Sequence, residues 1–272
     1  MKISCYAMSS RQTHQIDTAK KFVSGLKRHN INANLEIGFK GDNESDLVLV
    51  WGMRGARIVR PGLKKDFLLM ERSYLEDRFE WISLGYNGLN GKGEFYNKNM
   101  PDDRWKKHFN DGRLKEWNTD GDHILLTTQI KGDNSINHLD VNYQKIINDI
   151  KANTDLPVYV RDHPHRRMTW GVFEKDGIAD SNIPIAEACA KAKVVVTINS
   201  NSGVDATLAG TPVVNFDNGS MVWDLAMKDL SQLNNPPTPD RTQWCNNTAY
   251  AQWLPYEIEN GDAWDHLKQR YD

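Results

Sequence analysis

The stretch VVVTINSNSGVDATLAGTPVVNFDNGS, residues 194–220, decides how this chain is read. It opens as an unbroken β-branched apolar run, the pattern of a strand buried on both faces. The run stops at Asn199, Ser200, Asn201, Ser202 and Gly203, where a short helix over residues 203–209 begins, ended by Gly210. Residues 212–216 read as the next strand. Strand, polar turn, helix and strand in this order make the repeating unit of a parallel α/β sheet. Exposed N–H groups at the start of such a helix, beside two hydroxyls and a glycine, form an anion site. Asp205 falls just inside the helix, placed to accept hydrogen bonds from a ribose diol. The competing reading is that Ser200 or Ser202 only caps the helix.

The flanking sequence repeats the logic. Residues 123–129 read as a strand, and residues 138–153 as an amphipathic helix built on Leu139, Tyr143, Ile146, Ile147 and Ile150. A strand at residues 158–160 runs into Arg161, Asp162, His163 and Pro164, and a helix over residues 184–192 carries proline in its first turn. This half is a doubly wound unit, whose ligands belong at the carboxyl ends of its strands. Arg161, His163, Arg166 and Arg167 cluster past one strand end, and Gln129, Asp133 and Ser135 lie in the loop past another. A nucleotide diphosphate needs cations and donors of this kind to offset its charge.

The first half is plainer. A strand over residues 2–8 leads to a polar loop with Ser9, Ser10 and Arg11, then a helix over residues 15–29. Residues 47–51 and 67–70 are short buried-strand runs, residues 86–93 a Gly- and Asn-rich loop, and residues 101–117 a polar segment of helical character. A break at residues 118–122 marks a boundary. The expected division is 1–119, 120–252 and a tail, 253–272, that returns to the first domain; the Trp-rich stretch 244–271 reads as helical.

Composition agrees with a globular chain: 272 residues, 39% hydrophobic and 26% charged, with 9 Trp, 9 Tyr and 8 Phe. No apolar run approaches the roughly 18 residues of a membrane span. The N-terminus MKISCYAMSS lacks a signal-peptide core, so a cytoplasmic location is expected. Cys5, Cys189 and Cys245 are few and far apart, which suits packing rather than disulfides or zinc. His163 and His165 stand among arginines that repel a cation, so no metal is expected, and no cofactor beyond a nucleotide-sugar substrate. Residues 1–118 carry 21 Lys and Arg against 15 Asp and Glu, whereas residues 119–272 carry 13 against 21. That asymmetry suggests two domains with different partners.

A resemblance sharpens this reading. His163-Pro164, then NSNSGVDA at residues 199–206 and GTPV at residues 210–213, resemble the C-terminal domain of GT-B glycosyltransferases, especially capsule-polysaccharide enzymes and related phage enzymes. The resemblance covers about residues 123–220. It implies an α/β fold of two Rossmann-like domains with a cleft between them and a C-terminal tail. It further implies that His163, Ser200 and Ser202 bind donor phosphates, and that the donor is a nucleotide-sugar, with UDP the expected nucleotide. Asp205 departs from the more usual Glu and shortens that reach by one methylene. Upstream, FLLMERSYL at residues 67–75 resembles the segment that carries the capsule enzymes' catalytic carboxylate. MERSYLEDRFEWISLGYNGLNG, residues 70–91, is similar to a pattern in phage-encoded glycosyltransferases. Glu71 is therefore the candidate general base and Asp77 the second choice; an ion pair with Arg72 or Arg78 is the structural alternative for Glu71.

The acceptor side rests on charge. Arg54, Arg57, Arg60, Lys64 and Lys65 form a basic run with Arg72 and Arg78 beyond it, and Trp51, Tyr74, Phe79 and Trp81 are interleaved. Basic charge attracts phosphate backbones and aromatic rings stack on bases. With the phage resemblance, this favours a hydroxylated or hydroxymethylated pyrimidine in phage DNA as acceptor, in host cytoplasm. A capsule or lipopolysaccharide glycan, a nucleotide-sugar 2-epimerase activity and non-catalytic nucleic-acid binding are the alternatives.

Overall fold

In Leu47–Trp51 every residue but the last is buried, which requires cover on both faces of the strand it forms. Leu47 and Leu49 join one apolar cluster with Phe22, Leu26, Leu68 and Met70, while Val48 and Val50 join another with Ala56, Val59, Phe67 and Leu69. The period of two along the strand thus assigns its residues to two cores. The computed structural model describes residues 1–8, 12–75, 77–164, 170 and 173–271.

In chain order the elements are β1 (Lys2–Ala7), α1 (Thr13–Arg28), β2 (Asn32–Ile37), β3 (Leu47–Trp51), α2 (Gly52–Val59), β4 (Phe67–Arg72), β5 (Ile82–Tyr86) and α3 (Asp103–His108). There follow β6 (Ile124–Thr127), α4 (Tyr143–Lys151), β7 (Val158–Arg161), β8 (Gly177–Ile178), α5 (Ile185–Lys191), β9 (Val194–Thr197), α6 (Ser202–Ala209) and β10 (Val213–Asn215). The last are α7 (Thr242–Ala249), β11 (Gln252–Trp253), α8 (Pro255–Asn260) and α9 (Asp262–Leu267). The chain divides into two units, Met1–Arg104 with Cys245–Asp272, and Trp105–Trp244. The sequence break at residues 118–122 lies inside the second unit.

The first unit holds a sheet of order β11-β5-β4-β3-β1-β2. Strands β1 to β4 are parallel to one another, and β5 runs antiparallel to both of its neighbours, β4 and β11. The segment after residue 244 is not one helical tail. Gln252 and Trp253 pair with Ser83 and Ile82 as a strand, and Leu254 then turns the chain into α8 with Pro255 at its first position. Helix α8 docks on α1 at Gly25, where a Cβ would meet the Ile258 carbonyl oxygen at 2.2 Å. Arg104 locks the same segment in place with a two-pronged ion pair to Glu257 at 2.7 and 3.0 Å, and it stacks on Trp253 at 4.2 Å.

The second unit holds a wholly parallel sheet of order β10-β9-β6-β7-β8. Ile124, Leu126, Val158, Val160, Val194 and Val196 pack against Tyr143, Ile147 and Ile150 of α4. Two helices are shorter than the sequence suggests. Only Asp103–His108 of the 101–117 segment is helical; beyond it, Lys115 N–H bonds the Leu208 carbonyl and Asn118 N–H that of Gly210, so tertiary partners replace helical ones. Helix α4 starts at Tyr143 rather than residue 138, because the Asn142 side chain caps it by accepting from Lys145 N–H at 3.0 Å. Among the described residues no helix is long and apolar enough to cross a membrane.

Candidate active site

In the second unit the connections leave β6 in both directions: β7 lies on one side and β9 on the other. The order therefore reverses between β6 and β9, and the carboxyl ends of these strands frame the ligand crevice of a doubly wound sheet. Gln129 and Asn199 each stand two residues past those ends and grip one another. Asn199 N–H donates to Gln129 Oε1 at 3.0 Å, and Gln129 Nε2 to Asn199 Oδ1 at 2.8 Å. Both side chains are buried, and a buried amide is tolerated when its polar atoms are paired. Gln129 also donates to Ser135 Oγ at 3.1 Å, and Ser135 Oγ to Asp133 Oδ1 at 2.6 Å. Asn199 Nδ2 donates to the Ser135 carbonyl at 2.9 Å and to Asp217 Oδ1 at 2.7 Å.

Among the residues assigned to donor binding from sequence, this network joins Gln129, Asp133, Ser135 and Asn199 into one floor. Ser202 belongs to the same frame: it is buried, its Oγ 2.7 Å from Thr127 Oγ1. Ser200 Oγ accepts from Ser202 N–H at 3.2 Å in a local turn, while Asn201 holds the N-cap position of α6 without a side-chain cap bond. The N–H groups of Gly203, Val204 and Asp205 bond back to Ser200 and Asn201 carbonyls. Ser200, Asn201 and Asp205 remain partly exposed at the rim.

The loop past β7 joins the floor through Thr128, which donates to Asp162 Oδ1 at 3.0 Å and accepts from His163 N–H at 3.3 Å. His163 is half-buried beside it. Arg161 points elsewhere. Its guanidinium donates to the carbonyls of Asp180 at 2.8 Å and Ile183 at 2.7 Å, holding the approach to α5. Arg166, Arg167 and His165, like Ser9, Ser10 and Arg11, lie outside the described residues. Two residues missed by sequence reasoning complete the floor. Asp217, just past β10, accepts from Gly219 N–H at 2.8 Å through Oδ1, and its Oδ2 lies 3.2 Å from His138 Nε2. Asp217's place past a strand end was a usable signal; His138 was hidden in a run that reads as helix.

In the first unit the order reverses between β1 and β3. Glu71, partly buried, stands near the carboxyl end of β4, one residue past the Trp51–Met70 register pair. Gly52 has φ +69°, and a Cβ there would come within 3.1 Å of Glu71 Oε1. Arg72 N–H donates to Glu71 Oε2 at 3.3 Å. The Arg72 guanidinium lies 4.4 Å from the Phe79 ring centroid and 5.6 Å from that of Trp51, and donates to the Arg78 carbonyl at 3.4 Å. His14, unassigned from sequence, meets Trp51 edge-on at 5.1 Å; desolvation first and the Arg72 charge second lower its pKa below the ordinary histidine value.

Asp77 organises a turn, accepting from Phe79 N–H at 2.9 Å. Arg54 and Arg57 are exposed on α2, while Lys64 and Lys65 precede β4 and so stand toward its amino end, away from Glu71. Arg60 is 1% exposed and donates to the carbonyls of Asp42, Ser45 and Asp66, a structural role. Tyr74 and Trp81 are core residues, whereas Phe79 is 79% exposed. Among the described residues no group of three or more His, Cys, Asp or Glu has an arrangement that could hold a metal ion.

No protein-family model matches this chain, and no curated protein matches it. Two solved structures from Thermosulfurimonas dismutans are similar in fold. The KpsC beta Kdo 2,7 transferase is 15% identical, with 96% of this chain and 99% of the other covered at a TM-score of 0.55. The KpsC beta Kdo 2,4 transferase is 14% identical, with 96% and 97% covered at a TM-score of 0.57. The likeness establishes the fold as GT-B, α/β, as the sequence resemblance implies.

Proposed function

We propose that this protein is a metal-independent glycosyltransferase that moves a sugar from a nucleotide-sugar donor to an acceptor hydroxyl. One observation carries the reading: the floor at the β6/β9 reversal, where Gln129, Ser135, Asn199 and Ser202 pair with each other or with neighbours and leave Ser200, Asn201, Asp205 and His163 along the rim. Donor phosphates are assigned to Ser200, Asn201 and His163, and the ribose to Asp205. His163 supplies positive charge at the phosphates, so the reading needs no metal, and activity is expected to persist in EDTA.

Glu71 is assigned as the general base. It takes the acceptor's proton as the acceptor oxygen bonds to the anomeric carbon; the bond from that carbon to the donor phosphate breaks, and its electron pair leaves with the phosphate. The acceptor we favour is a glycan hydroxyl, in keeping with the fold likeness to two Kdo transferases. Modified pyrimidine DNA is the second reading, favoured by the exposed Phe79 stacked on Arg72. Against it, Arg60 of the basic run is buried and Lys64 and Lys65 stand toward the amino end of β4, which weakens the run's match to a phosphate backbone.

The test is a screen of UDP-, CMP- and GDP-sugars against acidic glycans and hydroxymethylpyrimidine DNA, with and without EDTA, read by mass spectrometry. A transferred sugar on a glycan is expected, and a sugar appearing only on DNA installs the second reading. Sugar inversion without any acceptor replaces transfer by epimerisation. Glu71→Gln is expected to lower the rate by ~10²–10⁴-fold with little change in donor affinity. Near-normal turnover in that variant removes the base from Glu71.

A further inference from the structure

We propose that His138, held by the buried carboxylate of Asp217, is a further binding residue for the donor's anionic leaving group. The inference rests on the donor-site reading above but uses residues to which that reading gives no part. Asp217 is 8% exposed, and a carboxylate there must be met by donors. It has Asn199 Nδ2 and Gly219 N–H on Oδ1, and its Oδ2 faces His138 Nε2 at 3.2 Å. An ionised carboxylate only accepts, so this pairing puts a proton on Nε2 and fixes how the ring is presented.

The ring's second nitrogen is Nδ1. In neutral imidazole it accepts, and in imidazolium it donates. A phosphate oxygen is an acceptor, so the contact we propose is with a ring N–H, with Asp217 on the ring's other side. The same arrangement, carboxylate behind imidazole, orients histidines toward a ligand elsewhere in protein chemistry.

Position supports the assignment. The His138 side chain is 43% exposed, so the ring runs from a buried partner to the surface. It belongs neither to the apolar core nor to α4, which begins at Tyr143. It ends the loop that leaves β6 through Gln129 and reaches across β9 to Asp217, just past β10. Its partner shares Asn199 with the floor of the crevice, so His138 is tied to the same rigid amides that position Ser200. Asp217 is the positioning residue and His138 the one that meets the ligand.

The full-length protein is titrated calorimetrically with UDP, CMP, GDP and ADP, and with the matching nucleosides. For whichever nucleotide binds, His138→Gln is expected to weaken affinity by about tenfold or more, the range for a lost charge-assisted hydrogen bond. Nucleoside affinity is expected to hold, and His138→Lys to recover part of the loss by restoring charge. Asp217→Asn is expected to weaken nucleotide but not nucleoside binding. Unchanged nucleotide affinity in a folded His138→Gln protein overturns the inference while leaving the donor reading standing. Failure of the wild type to bind any of the four nucleotides overturns both. Should the variants not fold, the wild type's His138 imidazole signals decide by NMR: they shift on nucleotide addition, and their staying fixed overturns the proposal.

Discussion

Gly52 shows how much one side chain's absence can set. Its φ of +69° is open to glycine and costs other residues about 1–2 kcal/mol. A Cβ at that position would also crowd Glu71 Oε1 at 3.1 Å. Gly52→Ala is therefore expected to lower Tm by a few degrees and to reduce kcat while leaving nucleotide affinity near its wild-type value. An unchanged melting curve together with unchanged kcat would sink the claim that Gly52 shapes the Glu71 site. At this scale, sequence reasoning placed residues correctly where location follows from position along the chain. Asn199 and Ser200 stand at a strand end whatever their partners, and so does Glu71. It failed where the role depends on a distant partner. Arg60 reads as one more surface cation until Asp42, Ser45 and Asp66 enclose it, and His138 has no visible role until Asp217, 79 residues away, appears.

Elements were legible when local chemistry and burial agreed. The strand, polar turn and helix at residues 194–209 form as their pattern requires, because apolar β-branched residues meet a polar turn at the point where the sheet ends. The segment at residues 101–117 lacked such agreement. Its polar residues suit a helix, but only its first turns form one; later N–H groups find partners at Leu208 and Gly210. The stretch after residue 244 misled for a similar reason, since its aromatic residues are apolar enough for helix or strand and β5 offered an open edge. Contact between α1 and α8 gives the test at this scale. Alanine normally gains up to about 1 kcal/mol over glycine inside a helix. At Gly25 its Cβ would lie 2.2 Å from the Ile258 carbonyl oxygen, so the two helices must separate. We expect Gly25→Ala to destabilise by roughly 1–3 kcal/mol, the usual cost of overpacking, measured as a lower denaturant midpoint. A higher midpoint would mean that no close approach exists there.

The charge asymmetry of the whole molecule, basic in residues 1–118 and acidic beyond, does not follow its two units, because the acidic segment 245–272 belongs with Met1–Arg104, and charge carries no information about where the chain crosses between units. Those crossings, at Arg104 and Trp244, make the first unit discontinuous and the second continuous. On a ribosome, domains generally fold as units and the N-terminal one first. Here we expect that order to be reversed. The segment Met1–Arg104 emerges without β11, α8 and α9, leaving the edge of β5 unpaired, the α1 face bare and the Arg104 guanidinium without its carboxylate. Trp105–Trp244 has its entire sheet and both covering layers as soon as it is synthesised. Expressed alone, residues 105–244 are expected to melt cooperatively, and residues 1–104 to aggregate or to need residues 245–272 supplied in trans. A soluble, cooperatively folded 1–104 fragment would refute this order. In this order of synthesis, Met1–Arg104 is exposed until residues 245–272 follow, an interval in which a chaperone could bind it.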